Sequence, residues 1–171
     1  LAGREEAAGG SAVVVASPCY SEPTQEGLYR HFTAIAAAIR IPVVLYTMPG
    51  RSVVDISVET MARLARHGNI VGVKDATANL LRPLQVRRAV TNKYFNQLSG
   101  EDGTAVSFLA AGGDGCISVS SNVAPALCAK TQRPWEEGKA GEAMAPQDRL
   151  PPLPEALFCE ESPGPGKYTA P

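Results

Sequence analysis

A run of short apolar segments, each closed by a polar residue or a glycine at a nearly constant interval, most constrains how this chain can fold. The segments end at Tyr20, Tyr46, Lys74 and Gly100, which lie 26, 28 and 26 residues apart. Residues 12–16, 42–45, 70–73 and 94–98 read as strands, and a fifth is expected over 115–119. Between them, apolar residues recur at helical spacing. Thr24 is placed to cap a helix carrying Leu28, Phe32, Ile35 and Ile39 on one face. Ser57 is placed to cap one carrying Val58, Met61 and Leu64, with Gly68 where a left-handed C-terminal residue is wanted. Asn79 opens a helix with Pro83 in its first turn, and residues 102–111 form another, closed by Gly112.

Strands that are apolar throughout and alternate with helices build a parallel sheet buried by those helices. Five in series, with no nucleotide-binding glycine fingerprint, favour a (β/α)₈ barrel over an open sheet. A whole barrel takes about 250 residues and eight strands. The expectation is therefore an incomplete α/β (β/α)₈ TIM barrel in which strands 4–8 are visible. Residues 1–10 read as the end of a helix before the first of them, so the first three strands are expected to be missing. The partial barrel is assigned to residues 1–130, and residues 131–171 to a degraded, proline-rich C-terminal extension. There Pro134, Pro146, Pro151, Pro152 and Pro154 interrupt otherwise helical stretches, so a broken and poorly ordered tail is expected.

Composition narrows the function. A formal net charge of −1 gives no reason to expect nucleic acid or an anionic membrane as partner. No apolar run approaches the roughly 18 residues that span a bilayer. Cys19, Cys116, Cys128 and Cys159 are widely and irregularly spaced, which suits neither a zinc site nor a disulfide framework. A reducing, cytoplasmic location is the simplest reading.

Working residues of such barrels sit at the C-terminal ends of strands. That rule selects Tyr20, Tyr46, Arg51, Lys74 and Gly100. A lysine amine titrates near 10.4 in water and must lose its proton to attack a carbonyl. Burial in a barrel mouth lowers that value. At the end of Ile70-Val-Gly-Val73, Lys74 is either such a nucleophile or a lysine snorkelling to water. One strand away, Tyr46 is either a proton relay or a packed tyrosine with a satisfied hydroxyl. Tyr20 has the weaker position. Arg51, in Pro-Gly-Arg, suits a substrate carboxylate or a surface ion pair. Gly100 and the backbone around Ile117 allow a close approach by a ligand. His31 and His67 read as surface or helix-end residues.

The segments SPCYSEPTQEGLYRHF (17–32), IPVVLYTMPGRS (41–52), IVGVKDATANL (70–80), QLSGED (97–102) and GCISVSSNVAPALCA (115–129) together resemble the dihydrodipicolinate synthase family. The resemblance implies a (β/α)₈ barrel with a helical C-terminal extension in a homotetramer built from tight dimers. It implies condensation of pyruvate with L-aspartate semialdehyde in lysine biosynthesis. By resemblance, Lys74 forms the imine with pyruvate, Tyr46 shuttles protons, and Tyr20 is lent to a neighbouring subunit's site. Arg51 meets the carboxylate of the second substrate, and Gly100 and Ile117 line the pyruvate pocket. The iminium is the electron sink, so the resemblance implies no metal or organic cofactor. The family's Gly-Thr-Thr-Gly segment is not among these residues. Cys19 stands where the family usually has tyrosine, and Thr47 where it commonly has asparagine. Two alternatives remain open: a non-catalytic remnant serving as an interaction module, and a related pyruvate-dependent aldolase such as N-acetylneuraminate lyase.

Overall fold

The computed structural model describes residues 1–170. Helix α1 (Ala2–Ala7) precedes β1 (Val13–Ala16), α2 (Gln25–Ala38) and β2 (Val43–Thr47). Then come α3 (Pro49–Ser52), α4 (Val58–Leu64), β3 (Ile70–Asp75) and α5 (Arg82–Ala89). Next are β4 (Asn96–Ser99), a 3₁₀ turn (Asp102–Thr104), α6 (Ala105–Ala110) and β5 (Gly115–Cys116). After a second 3₁₀ turn (Ser120–Asn122), the chain ends in α7 (Pro125–Glu136), α8 (Ala140–Gln147), α9 (Pro152–Leu157) and α10 (Gly164–Thr169).

All four strand pairings are parallel, and the sheet order is the chain order, β1-β2-β3-β4-β5. Such an order never reverses, so it lacks the crevice of a doubly wound sheet and matches an arc of a barrel wall. One face of this wall meets the helices. Val13, Val43, Leu45, Ile70 and Val73 from the strands pack with Leu28, Phe32, Met61, Leu64 and Val86 from α2, α4 and α5. The alternate residues turn to the other, concave face, where Val14 is half exposed and Val44, Tyr46 and Leu98 are partly so.

The helix signals act as their chemistry requires. The Thr24 hydroxyl accepts the N–H of Gly27, and the Ser57 hydroxyl accepts that of Thr60. Pro83 lies in the first turn of α5. Gly112 closes α6 at φ +98°, with the Arg87 guanidinium packed where a Cβ would be.

Five local expectations need correction. β1 ends at Ala16, so Tyr20 is a loop residue four positions beyond it, at φ 72°. Residues expected as loop after Tyr46 contain the single-turn α3. Gly68 is not left-handed, because α4 has already ended at Leu64 and the chain turns through Ala65 in a right-handed conformation. α5 begins at Arg82, not at Asn79, whose side-chain Oδ1 accepts the N–H of Leu81 in a local turn. β5 has two residues, not five, because the Asp102 carboxylate takes the N–H groups of Val119 and Ser120 away from any ladder.

The extension after residue 131 is divided into short helices, yet its prolines do not abolish them. Pro134 and Pro146 fall in the last turns of α7 and α8. Pro152 and Pro165 fall at the starts of α9 and α10, where no intrahelical N–H bond is lost. Ala143, Gln147, Leu150 and Leu157 are buried, and Gln147 donates to the carbonyls of Asp102 and Gly103. The extension is thereby fastened to the end of the sheet that carries the strand-end residues.

Candidate active site

Tyr46 and Lys74 are register partners on adjacent strands, so they share the concave face at the C-terminal rim. The Lys74 amine lies 4.2 Å from the centre of the Tyr46 ring. Lys74 is 8% exposed, a rare setting for a lysine, and it forms no ion pair among the described residues. Gly100 follows β4 directly beside it. A Cβ there would stand 2.9 Å from the Ala76 Cβ and 3.1 Å from the Lys74 Cε. Glycine therefore leaves the lysine stem room. The Gly100 N–H donates to the Asp75 carbonyl at 2.6 Å, and the Ile117 N–H to the Ser99 carbonyl at 2.8 Å. Those two bonds carry the rim across β3, β4 and β5.

Cys116, on β5, belongs to the same neighbourhood. Burial pushes its thiol up to about 12, and the Asp102 carboxylate adds to the effect, while the charge of Lys74 acts in the opposite sense. Its Sγ lies 3.7 Å from Asp102 Oδ1. Such a thiol stays protonated and is a poor nucleophile.

The other selected residues stand apart from this pair. Arg51, in α3, donates through Nη2 to Glu161 Oε2 at 2.8 Å and to the Ser162 carbonyl at 3.2 Å. Its guanidinium thus already holds a carboxylate, one supplied by the C-terminal extension. Tyr20 is fully exposed. His67 accepts the Asn69 N–H through Nδ1, and burial lowers the pKa of His31.

A polar cluster under the rim escaped the sequence reading. Thr47, Asp55, Arg82 and Asp75 are joined by hydrogen bonds and ion pairs at the ends of β2 and β3, and Asp102 separately holds the N–H groups beyond β5. The available signal was adjacency: Thr47 follows Tyr46, Asp75 follows Lys74, and each must face the opposite side of its strand.

The sequence model of the dihydrodipicolinate synthetase family matches residues 1–170. The chain belongs to this family. It is 64% identical, over 99% of its length, to the 4-hydroxy-tetrahydrodipicolinate synthase of Gluconacetobacter diazotrophicus, of which it covers 57%. It is 60% identical over 98% of its length to the synthase of Gluconobacter oxydans, covering 56% of that protein. Among solved structures, the synthase of Methylacidiphilum fumariolicum superposes with a TM-score of 0.93 at 39% identity, over 98% of this chain and 56% of that one. The chloride-inhibited dihydrodipicolinate synthase of Acinetobacter baumannii, complexed with pyruvate, gives 0.89 at 39% identity over 95% and 56%. The chain thus spans a little over half the length of these relatives, as a partial barrel would.

Proposed function

We propose that Lys74 is the Schiff-base lysine of a pyruvate-dependent aldolase reaction, with L-aspartate semialdehyde as the acceptor and 4-hydroxy-tetrahydrodipicolinate as the product. The observation that carries the proposal is the buried Lys74 amine lying against the Tyr46 ring at the barrel rim. The uncharged amine adds to the pyruvate ketone, and the carbinolamine loses water to give an iminium. Loss of a methyl proton gives an enamine, whose carbon adds to the aldehyde. Tyr46, one strand away, exchanges protons with the carbinolamine oxygen and the new alkoxide.

Gly100 and Ile117 line the pyruvate side of the site, where glycine leaves space and the backbone is held by the Gly100 and Ile117 N–H bonds. Arg51 recognises the carboxylate of the second substrate, a role supported by its present hold on Glu161. Tyr20 reaches a neighbouring subunit's site in a homo-oligomer, consistent with its full exposure here.

The decisive experiment is reduction with borohydride in the presence of pyruvate, followed by peptide mass spectrometry. A reduced pyruvate adduct on Lys74, lost in Lys74→Ala, is expected. A folded chain that yields no adduct, or one spread evenly over other lysines, would overturn the assignment.

A further inference from the structure

Under the rim, one guanidinium joins three segments. Arg82, at the start of α5, donates from Nη1 to Asp55 Oδ1 at 3.2 Å and to the Ile56 carbonyl at 2.9 Å. Its Nη2 donates to Asp55 Oδ2. Its Nε lies 3.8 Å from Asp75 Oδ2 and, though buried, has no hydrogen-bond acceptor. Asp55 Oδ1 also accepts the Thr47 hydroxyl at 2.7 Å, and the Thr47 oxygen accepts the Ile56 N–H at 3.2 Å. Asp75 Oδ1 accepts both the N–H and the hydroxyl of Thr77. Thr47 and Asp75 are themselves register partners, one residue beyond the Tyr46–Lys74 pair and on the opposite face of the sheet.

We propose that the Thr47–Asp55–Arg82–Asp75 network is a positioning unit that sets the Tyr46 ring against the Lys74 amine. It rests on the Schiff-base reading above. Each end of the network is covalently next to one member of the reacting pair, so a shift of either strand end moves a side chain on the concave face. The network also closes the segment that carries Arg51. Val53 in that segment is a β-branched residue at φ 64°, a strained conformation that persists only where its surroundings enforce it. Ser52 braces it by donating to the Met48 and Val54 carbonyls, and Asp55 anchors it to Arg82. A partly buried ion pair adds little stability over apolar packing of the same volume, but it fixes direction, and a fork of planar donors does so better than a point charge.

Thr47→Val removes only the hydroxyl bridge, and Asp55→Asn removes the charge and one of the two acceptor oxygens that hold Arg82. Each is expected to slow borohydride trapping of the Lys74–pyruvate adduct at saturating pyruvate by at least tenfold, while the pyruvate concentration at half-maximal trapping changes less than threefold. Thr47→Ser, which keeps the hydroxyl, should trap within threefold of the parent. A second readout needs no pyruvate: reductive methylation of Lys74 relative to exposed Lys139 should rise at least threefold in both variants and not in Thr47→Ser. A parent chain that traps no pyruvate defeats the Schiff-base reading alone, and the methylation ratio then decides the positioning claim. Variants that melt lower but keep the parent's methylation ratio and, where the parent traps, its trapping rate would overturn it. If Thr47→Val fails to fold by circular dichroism, Asp55→Asn carries the test.

Discussion

Single residues near the rim have consequences that can be measured without any substrate. The Cys116 thiol is raised from 9.0 to about 12, first by burial and then by Asp102. In the unfolded chain the thiol ionises near 9, whereas in the fold it stays protonated to about 12. The stabilisation is therefore complete below pH 9 and is lost as pH rises through that window, at up to roughly 1.4 kcal/mol per unit. Urea denaturation followed from pH 8 to pH 11 should show this decline, and Cys116→Ala should flatten it. An equal decline in Cys116→Ala would assign the effect to other groups. The sequence could show that a cysteine lies near a predicted strand. It could not show a carboxylate 3.7 Å from it, because Asp102 arrives there only through the turn after β4. Lys74 and Tyr46 were legible because strand ends are set by spacing, whereas the partners Asp55 and Arg82 come from a loop and a helix start that spacing alone does not orient.

Elements were legible where one local signal decided them. Thr24 and Ser57 each sit before an apolar periodic stretch, and each caps the helix that follows. Ser57 has a further role. Its N–H donates to Gln25 Oε1, and Gln25 Nε2 donates to the Asp55 carbonyl, so the cap links α2 to the segment under the rim. Ser57→Ala leaves that link but removes the hydroxyl cap on the Thr60 N–H, and should destabilise the chain by about 1 kcal/mol. The check is a urea midpoint at unchanged slope. A shift equivalent to less than a few tenths of a kcal/mol would mean that the Ser57 N–H bond to the Gln25 side chain alone holds the turn. Elements were misread where a tertiary contact competed with the local signal. The apolar run Ile117-Ser-Val119 has strand propensity, but Asp102 recruits its end into a turn. The prolines of the extension suggested disruption, but proline position within a turn matters more than proline number.

At the scale of the whole molecule, the consecutive parallel order was legible from the repeat, because parallel neighbours joined by single helices build a wall in one direction. That wall has two edges. Among the described residues β1 pairs only with β2, and its open side borders a trough of about 730 Å³ lined by Leu1, Ala2, Glu5, residues 12–16, Pro18, His31 and Ile35. Val14, on the concave face of that strand, is 49% exposed. An apolar edge strand with unpaired N–H and C=O groups is a template for another strand, and natural sheets block such edges with charge, especially lysine. Within Val13–Ala16 the β1 edge carries no charged residue, and the nearby Glu5 lines the trough from α1 rather than standing on the strand itself. The isolated chain is therefore expected to self-associate in sedimentation velocity as its concentration rises. Val14→Lys should weaken that association at least fivefold, because closing the edge would bury an unpaired ammonium against Val44 and its neighbours. A parent chain that sediments as a monomer throughout, or a Val14→Lys variant that associates as strongly, would show that the edge is already covered by the residues around β1.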